Sequence, residues 1–161
     1  KWTSEYNLSW DDFQGEEVVE LNLSALSKIA IPYTFTSDGE VDLTIKLSTR
    51  FIKNDSWYKK GEENNVLLGH EQLHFDIAEL YARKIRKFFD ELESPCYIAK
   101  ENIEQVVDEL YTDFEVAQDL YDDETKHGLH EAKQASWNQA VYKVMHSLNV
   151  HQCLKIVFRA Q

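Results

Sequence analysis

His70-Glu71-Gln72-Leu73-His74 sets two imidazoles and a carboxylate within five residues. On a helix, four residues turn about 400° and rise about 6 Å, so both imidazoles leave nearly one face. They can then share one ion at Zn–N distances of about 2.0–2.1 Å. Glu71 lies about 100° round from His70, close to the open coordination position, where a carboxylate can take a proton from a water that the metal activates. Neutral imidazoles leave the ion's charge uncancelled, so it brings the pKa of that water down towards about 7. A proton passed on to a leaving amine, with the scissile carbonyl polarised by the ion, completes peptide hydrolysis. Two His and a Glu also meet by chance, so the surrounding pattern matters.

A catalytic ion needs a third protein ligand, and Tyr121 to Glu131 offers candidates. His127 is the first choice because Gly128 beside it frees the backbone to present it; His130 and Glu131 are the alternatives. A fourth protein ligand from His130 or Glu131 would instead make a closed, structural site. The residue six places after His74 is Leu80, so the His-x-x-Gly-x-x-His extension of metzincins is absent. Asp76 and Glu79 fall about 200° and about 140° round the helix from His74, which makes them surface or supporting carboxylates rather than ligands. Tyr121 is a candidate donor to a developing oxyanion, with core packing as the competing role. Trp10, Trp57 and Trp137 read as core or site-wall aromatics, and His146 and His151 have no partner spacing.

The elements that must position these groups follow from periodicity. Ile29, Ile31, Tyr33 and Phe35 alternate with other residues, as do Val41, Leu43, Ile45 and Leu47. Ser37-Asp38-Gly39-Glu40 between them predicts a hairpin, with Lys28–Phe35 antiparallel to Val41–Phe51. From Val66 the period becomes helical through Leu67, His70, His74, Ile77, Tyr81, Ile85, Phe88 and Leu92, and Pro95 stops it. A second helix starts near Ala99, with Ile103, Val106, Val107, Leu110, Tyr111, Phe114 and Ala117 as its stripe. A third runs from about Thr125 or Gly128 to Leu148. The tail from Val150 alternates like a strand, either at a sheet edge or as a disordered end. The class is α+β, in a single domain over residues 1–161: β-rich over 1–58, helical over 66–148, then a tail over 149–161.

With 43% hydrophobic and 12% aromatic residues, the 161-residue chain can bury a core without disulfide staples. Lys and Arg number 17 against 29 Asp and Glu, a formal charge of -12, and no basic cluster is present, which excludes nucleic acid as a partner. No apolar run is long enough for a membrane helix. Cys96 and Cys153 lack metal-knuckle or redox spacing and read as buried thiols, with a disulfide open to them if the protein is exported.

Several blocks together carry a resemblance: Leu8-Ser9-Trp10-Asp11-Asp12-Phe13-Gln14-Gly15, Ser56-Trp57, Leu68-Gly69-His70-Glu71-Gln72-Leu73-His74-Phe75-Asp76-Ile77, and Tyr121-Asp122 with Thr125-Lys126-His127-Gly128 and Trp137-Asn138. They resemble a bacterial family of secreted zinc-dependent proteases catalogued as a domain of unknown function. The resemblance implies a zincin-like domain, an N-terminal antiparallel sheet followed by an active-site helix and two further helices. It also implies one Zn²⁺ on His70 and His74, with Glu71 as base and His127 matching the family's downstream His. A removed export signal and a secreted or periplasmic location follow from it too. The expected activity is therefore a zinc metallopeptidase acting on peptide or protein substrates. The alternatives are a zinc-binding interaction module without turnover and a zinc amidase acting on cell-wall peptides.

Overall fold

A computed structural model describes residues 1–37, 42–92, 100–152 and 155–159. Two extended arms run side by side. The first carries β1 (Ala25–Leu26), β2 (Ile29–Ala30) and β3 (Tyr33–Ser37); the second carries β4 (Asp42–Leu47), β5 (Arg50–Phe51) and β6 (Trp57–Tyr58). One antiparallel register joins them from Ile29↔Phe51 and Ala30↔Arg50 through Tyr33↔Leu47 to Ser37↔Leu43. Pro32 interrupts the ladder because it has no N–H to donate, and only its carbonyl is used, by Ser48 N at 3.2 Å. A 3₁₀ turn at Lys53–Asp55 then shifts the pairing to Ala25↔Tyr58 and Leu26↔Trp57. The expected hairpin thus forms, although its Asp38-Gly39 turn lies outside the described residues, as do Pro95, Cys96 and Cys153.

The helices are α1 (Asn65–Asp90), α2 (Lys100–Thr125) and α3 (Glu131–Ser147). Asn64 caps α1, its Oδ1 accepting from the backbone N–H groups of Val66 at 3.0 Å and Leu67 at 2.9 Å. The second helix continues a full two turns beyond the apolar stripe that announces it, so Tyr121 and Asp122 are helical. The tail returns as β7 (Lys155–Arg159), antiparallel to β4 with Leu43↔Phe158, which makes the sheet order β3-β4-β7. The architecture is α+β: small antiparallel strand pairs, then three helices.

Helix α1 is the centre of the molecule. Leu73, Ile77, Ala78, Ala82, Ile85 and Phe89 are buried against Ile31, Ile45 and Leu47 of the arms, Val107, Phe114 and Tyr121 of α2, and Val141 and Met145 of α3. Phe75 packs the other way, with Leu8, Phe13 and Phe51. Burial on so many sides corrects the sequence reading of Asp76 and Glu79 as surface carboxylates, because both are only 3% exposed. Asp76 accepts from Trp2 Nε1 at 2.7 Å, Gln72 Nε2 at 3.1 Å and Tyr142 Oη at 3.0 Å. Glu79 pairs with Arg83 and Arg86, at 3.2 and 3.0 Å, and takes the Thr49 hydroxyl at 2.8 Å. Arg83 donates to the carbonyl of Met145 in the last turn of α3, and Arg86 to the carbonyl of His151 in the 3₁₀ turn that follows. The Met145 carbonyl carries the negative end of the helix dipole, which helps to offset the second buried cation. Among the described residues, no helix is long and apolar enough to cross a membrane.

The Trp-Asp-Asp-Phe-x-Gly block is a clasp for the N-terminal segment. Asp12, 5% exposed, accepts from Tyr6 Oη at 2.6 Å and Ser9 N at 2.9 Å and pairs with Lys53 at 2.6 Å. Gly15 closes the clasp, since a Cβ there would lie 2.8 Å from the Asn54 carbonyl oxygen. Burial alone would raise the Asp12 pKa, but the bonds from Lys53, Tyr6 and Ser9 outweigh it and bring the carboxyl from 3.8 down to about 2. A carboxyl depressed by folding stabilises the fold above its unfolded pKa, and that contribution disappears as the pH falls through its folded value. Asp12→Asn is therefore expected to lose about 1–2 kcal/mol of stability at pH 7. It should also flatten the decline in stability between about pH 4 and pH 2, read from urea unfolding across that range.

Candidate metal centre

His70 and His74 stand one turn apart on α1, and Asp122 reaches them from the last turn of α2. Asp122 Oδ1 is 2.9 Å from His70 Nε2 and 3.0 Å from His74 Nε2, and the two Nε2 atoms are 3.2 Å apart. His127, on the loop after α2, brings its Nδ1 to 3.3 Å from the same oxygen. His70, Asp122 and His127 each offer a ligand atom within 4.8 Å of the others. Tetrahedral ligands at zinc's usual bond lengths lie about 3.3 Å apart, close to the distances among Asp122 Oδ1, His70 Nε2 and His74 Nε2 and to that from Asp122 Oδ1 to His127 Nδ1.

The outer nitrogens decide what the inner ones present. His70 Nδ1 faces Gln134 Oε1 at 3.1 Å, and His74 Nδ1 faces Gln118 Oε1 at 2.7 Å. Gln118 donates its Nε2 to the His74 carbonyl at 3.1 Å, and Gln134 donates its own to Asn138 Oδ1 at 2.9 Å, which orients both amides. A carbonyl oxygen only accepts, so each Nδ1 must carry the proton. The neutral imidazoles then aim two Nε2 lone pairs at each other and at a carboxylate oxygen. Such a set can hold a proton or a shared cation, and two nitrogens with a carboxylate oxygen are donors that suit Zn²⁺.

Without an ion, the close contacts couple the charges of the cluster. Burial would raise the Asp122 pKa, but the contacts and charge of His70 and His74 hold it well below the usual carboxylate range. Burial would lower His74, yet the bond to Asp122 and the negative charges of Glu71 and Asp122 raise it. Glu71 itself is 3% exposed, and its Oε2 has no hydrogen-bond partner among the described residues. It lines a cavity of about 40 Å³ together with His70, His74, Asp122 and His127. That volume admits a water-sized occupant.

Of the two roles open to Tyr121, its surroundings favour packing over donation to an oxyanion. It is fully buried, stacks on His70 at 4.5 Å, and spends its hydroxyl on Gln134 Oε1 at 2.8 Å and the His70 carbonyl at 3.2 Å. Burial pushes its pKa well above the ordinary phenol value. It does not line the cavity, so it positions His70 and Gln134 instead. Trp137 supports it from behind at 5.3 Å. His130 is an exposed N-cap of α3, accepting from Lys133 N, and Glu131 is exposed in the first turn; neither joins the cluster.

The residue that sequence reasoning passed over is Asp122. Its signal was the continuing helical spacing of Phe114, Gln118, Tyr121 and Thr125, which carries α2 to the level of His70 and sets Asp122 one turn beyond Gln118. After Thr125 the chain turns through three consecutive left-handed residues, Lys126 (φ 54°), His127 (φ 52°) and Gly128 (φ 84°). His127 is a strained non-glycine residue, held by its N–H bond to the Asp122 carbonyl at 3.0 Å.

Gly128 has a second reason to be glycine. A Cβ there would lie 3.0 Å from His70 Cβ and 3.1 Å from His70 Cγ. Gly128→Ala is expected to cost about 1–3 kcal/mol in urea unfolding and to displace the His70 imidazole signals in NMR spectra.

Residues 57–128, under half of the chain, match a family described as bacterial protein of unknown function (DUF922). No curated protein and no solved structure matches the chain. The matched stretch contains His70, Glu71, His74, Asp122, His127 and Gly128, so this chain is similar, over its whole candidate metal centre, to a bacterial domain catalogued without an activity.

Proposed function

We propose that this protein is a zinc-dependent hydrolase of zincin type that cleaves peptide bonds. The observation that carries the reading is the unpartnered Glu71 Oε2, beside the small cavity on which His70, His74 and Asp122 converge. A buried carboxylate oxygen without a partner costs free energy, and a site that uses it as a base accounts for that cost. His70 Nε2, His74 Nε2 and Asp122 Oδ1 are the three ligands. Bound there, Zn²⁺ would supply Lewis acidity towards a carbonyl and lower the pKa of water.

The chain's own residues do the rest. Gln134 and Gln118 accept from the outer nitrogens, which would leave both inner lone pairs available to an ion. Tyr121 and Gly128 clamp the His70 ring from two directions. Glu71 Oε2 accepts the proton of the attacking water and delivers it to the departing amine. His127, whose side chain is 57% exposed, stands at the cavity wall where a substrate would arrive.

The position of His127 also favours a second reading. As a fourth protein ligand beside Asp122 it would close the site and make the zinc structural, in a binding module without turnover. Metal content after dialysis separates the two. The hydrolase reading expects His70→Ala, His74→Ala and Asp122→Ala to lose zinc while His127→Ala retains it; a closed site loses zinc in all four. Glu71→Gln, which keeps the side chain's shape, should retain zinc and fold. Its peptide hydrolysis should fall by about 10²–10⁴-fold relative to matched, zinc-loaded wild type, with a chelator control. Equal rates would remove Glu71 from the mechanism.

A further inference from the structure

Beside the metal centre lies a groove of about 620 Å³, within the range of about 300–1,000 Å³ typical of ligand sites. It is continuous with the small cavity, because Leu23, Ser24, Leu67 and His127 line both. Leu67 is buried on its floor with Leu23 half-buried beside it, while Val66 and Leu129 stand 54% and 85% exposed on its rim. Exposed aliphatics are unremarkable singly, but two of them on one groove that opens on a candidate catalytic centre form a concave apolar surface.

The charges around the groove narrow the occupant. Glu62 and Glu63 line it, and Lys126, the one Lys or Arg among its described lining residues, is paired with Asp123 at 3.0 Å. Glu62 is itself held by Lys59 at 2.6 Å and accepts from the Ser24 hydroxyl. An acidic side chain would meet two carboxylates and a cation already engaged, whereas an apolar one would displace water from Leu23, Val66, Leu67 and Leu129.

We infer that this groove selects peptides carrying a large aliphatic or aromatic side chain next to the bond that is cut, and discriminates against acidic ones. The inference rests on the hydrolase reading above for the words "the bond that is cut", and its test reads binding rather than turnover. Acetylated and amidated pentapeptides Ala-Ala-Xaa-Ala-Ala, with Xaa as Leu, Phe, Ala, Lys or Glu, would be titrated into zinc-loaded Glu71→Gln protein by calorimetry or NMR. The Leu and Phe peptides should bind at least about tenfold more tightly than the Ala peptide, as burial of a large apolar side chain requires, and the Glu peptide should be the weakest. Val66→Ser with Leu129→Ser, both exposed and therefore compatible with the fold, should bring Leu to within about threefold of Ala.

Equal binding of the Leu and Ala peptides, tightest binding of Lys, no binding of any peptide, or a Leu preference that survives the double substitution would each overturn the inference. Zinc content and wild-type cleavage of the same peptides keep the two proposals apart. A wild type without zinc or turnover, whose Glu71→Gln form still shows the groove-dependent preference, would remove the hydrolase and leave the groove as a binding site. A wild type that cleaves and binds the Leu and Ala peptides alike would do the reverse.

Discussion

A helix buried on nearly every side, yet carrying polar residues along its whole length, is the constraint on which the rest of the structure depends. His70, Glu71, Asp76, Glu79, Arg83 and Arg86 of α1 are all at or below 3% exposure. An uncompensated buried charge costs several kcal/mol, so each must be met by a neighbour with matching chemistry. Each neighbouring element answers one of them. Gln118 and Asp122 of α2 meet the histidines, Trp2 and Tyr142 meet Asp76, and Thr49 between β4 and β5 meets Glu79. Carbonyls of the last turn of α3 and of the 3₁₀ turn after it meet the arginines. The polar pattern of one helix therefore dictates which elements surround it and in what register.

Towards the C-terminal half of α1 the charges are matched: the Glu79 carboxylate has donors, and Arg83 also donates to a carbonyl of the last turn of α3, although Arg86 Nε has no partner among the described residues. Towards the N-terminal half they are not. There the protons of both imidazoles are taken outward by glutamine carbonyls, so the inner atoms are lone pairs facing a carboxylate. Glu71 adds an unmatched oxygen beside them. The same helix thus has a charge-paired network at one end, with Arg86 Nε left over, and at the other a network with room for a cation. Rigid support from the first half serves the second, because ligands held by packed helices need little reorganisation to receive an ion.

The helix bearing His70, Glu71 and His74 was legible because its apolar residues recur at helical spacing through twenty-odd positions. The hairpin arms were legible from alternation, and Pro32 explains why their ladder is broken. Asp122 stood in the Tyr121-Asp122 block but was given no role, because its charge is repeated in Asp119, Asp123 and Glu124 and only the distance that α2 travels beyond Ala117 selects it. Asp76 and Glu79 were misplaced for a related reason. Angular position on a helix gives a side chain's direction, but not what lies there, and α1 is covered on the face where carboxylates ordinarily meet water. His127 carries its own lesson: the glycine beside it does permit the turn, yet His127 and Lys126 take left-handed backbone as well, which no propensity argument anticipates.

Anomalous diffraction at the zinc edge, from crystals of the zinc-loaded protein, tests the central claim most directly. The account predicts one strong peak at bonding distance from His70 Nε2, His74 Nε2 and Asp122 Oδ1, with Glu71 facing a remaining non-protein ligand. A peak bound instead by four protein groups, a peak elsewhere in the molecule, or an Asp122 carboxylate turned away from the ion would contradict it.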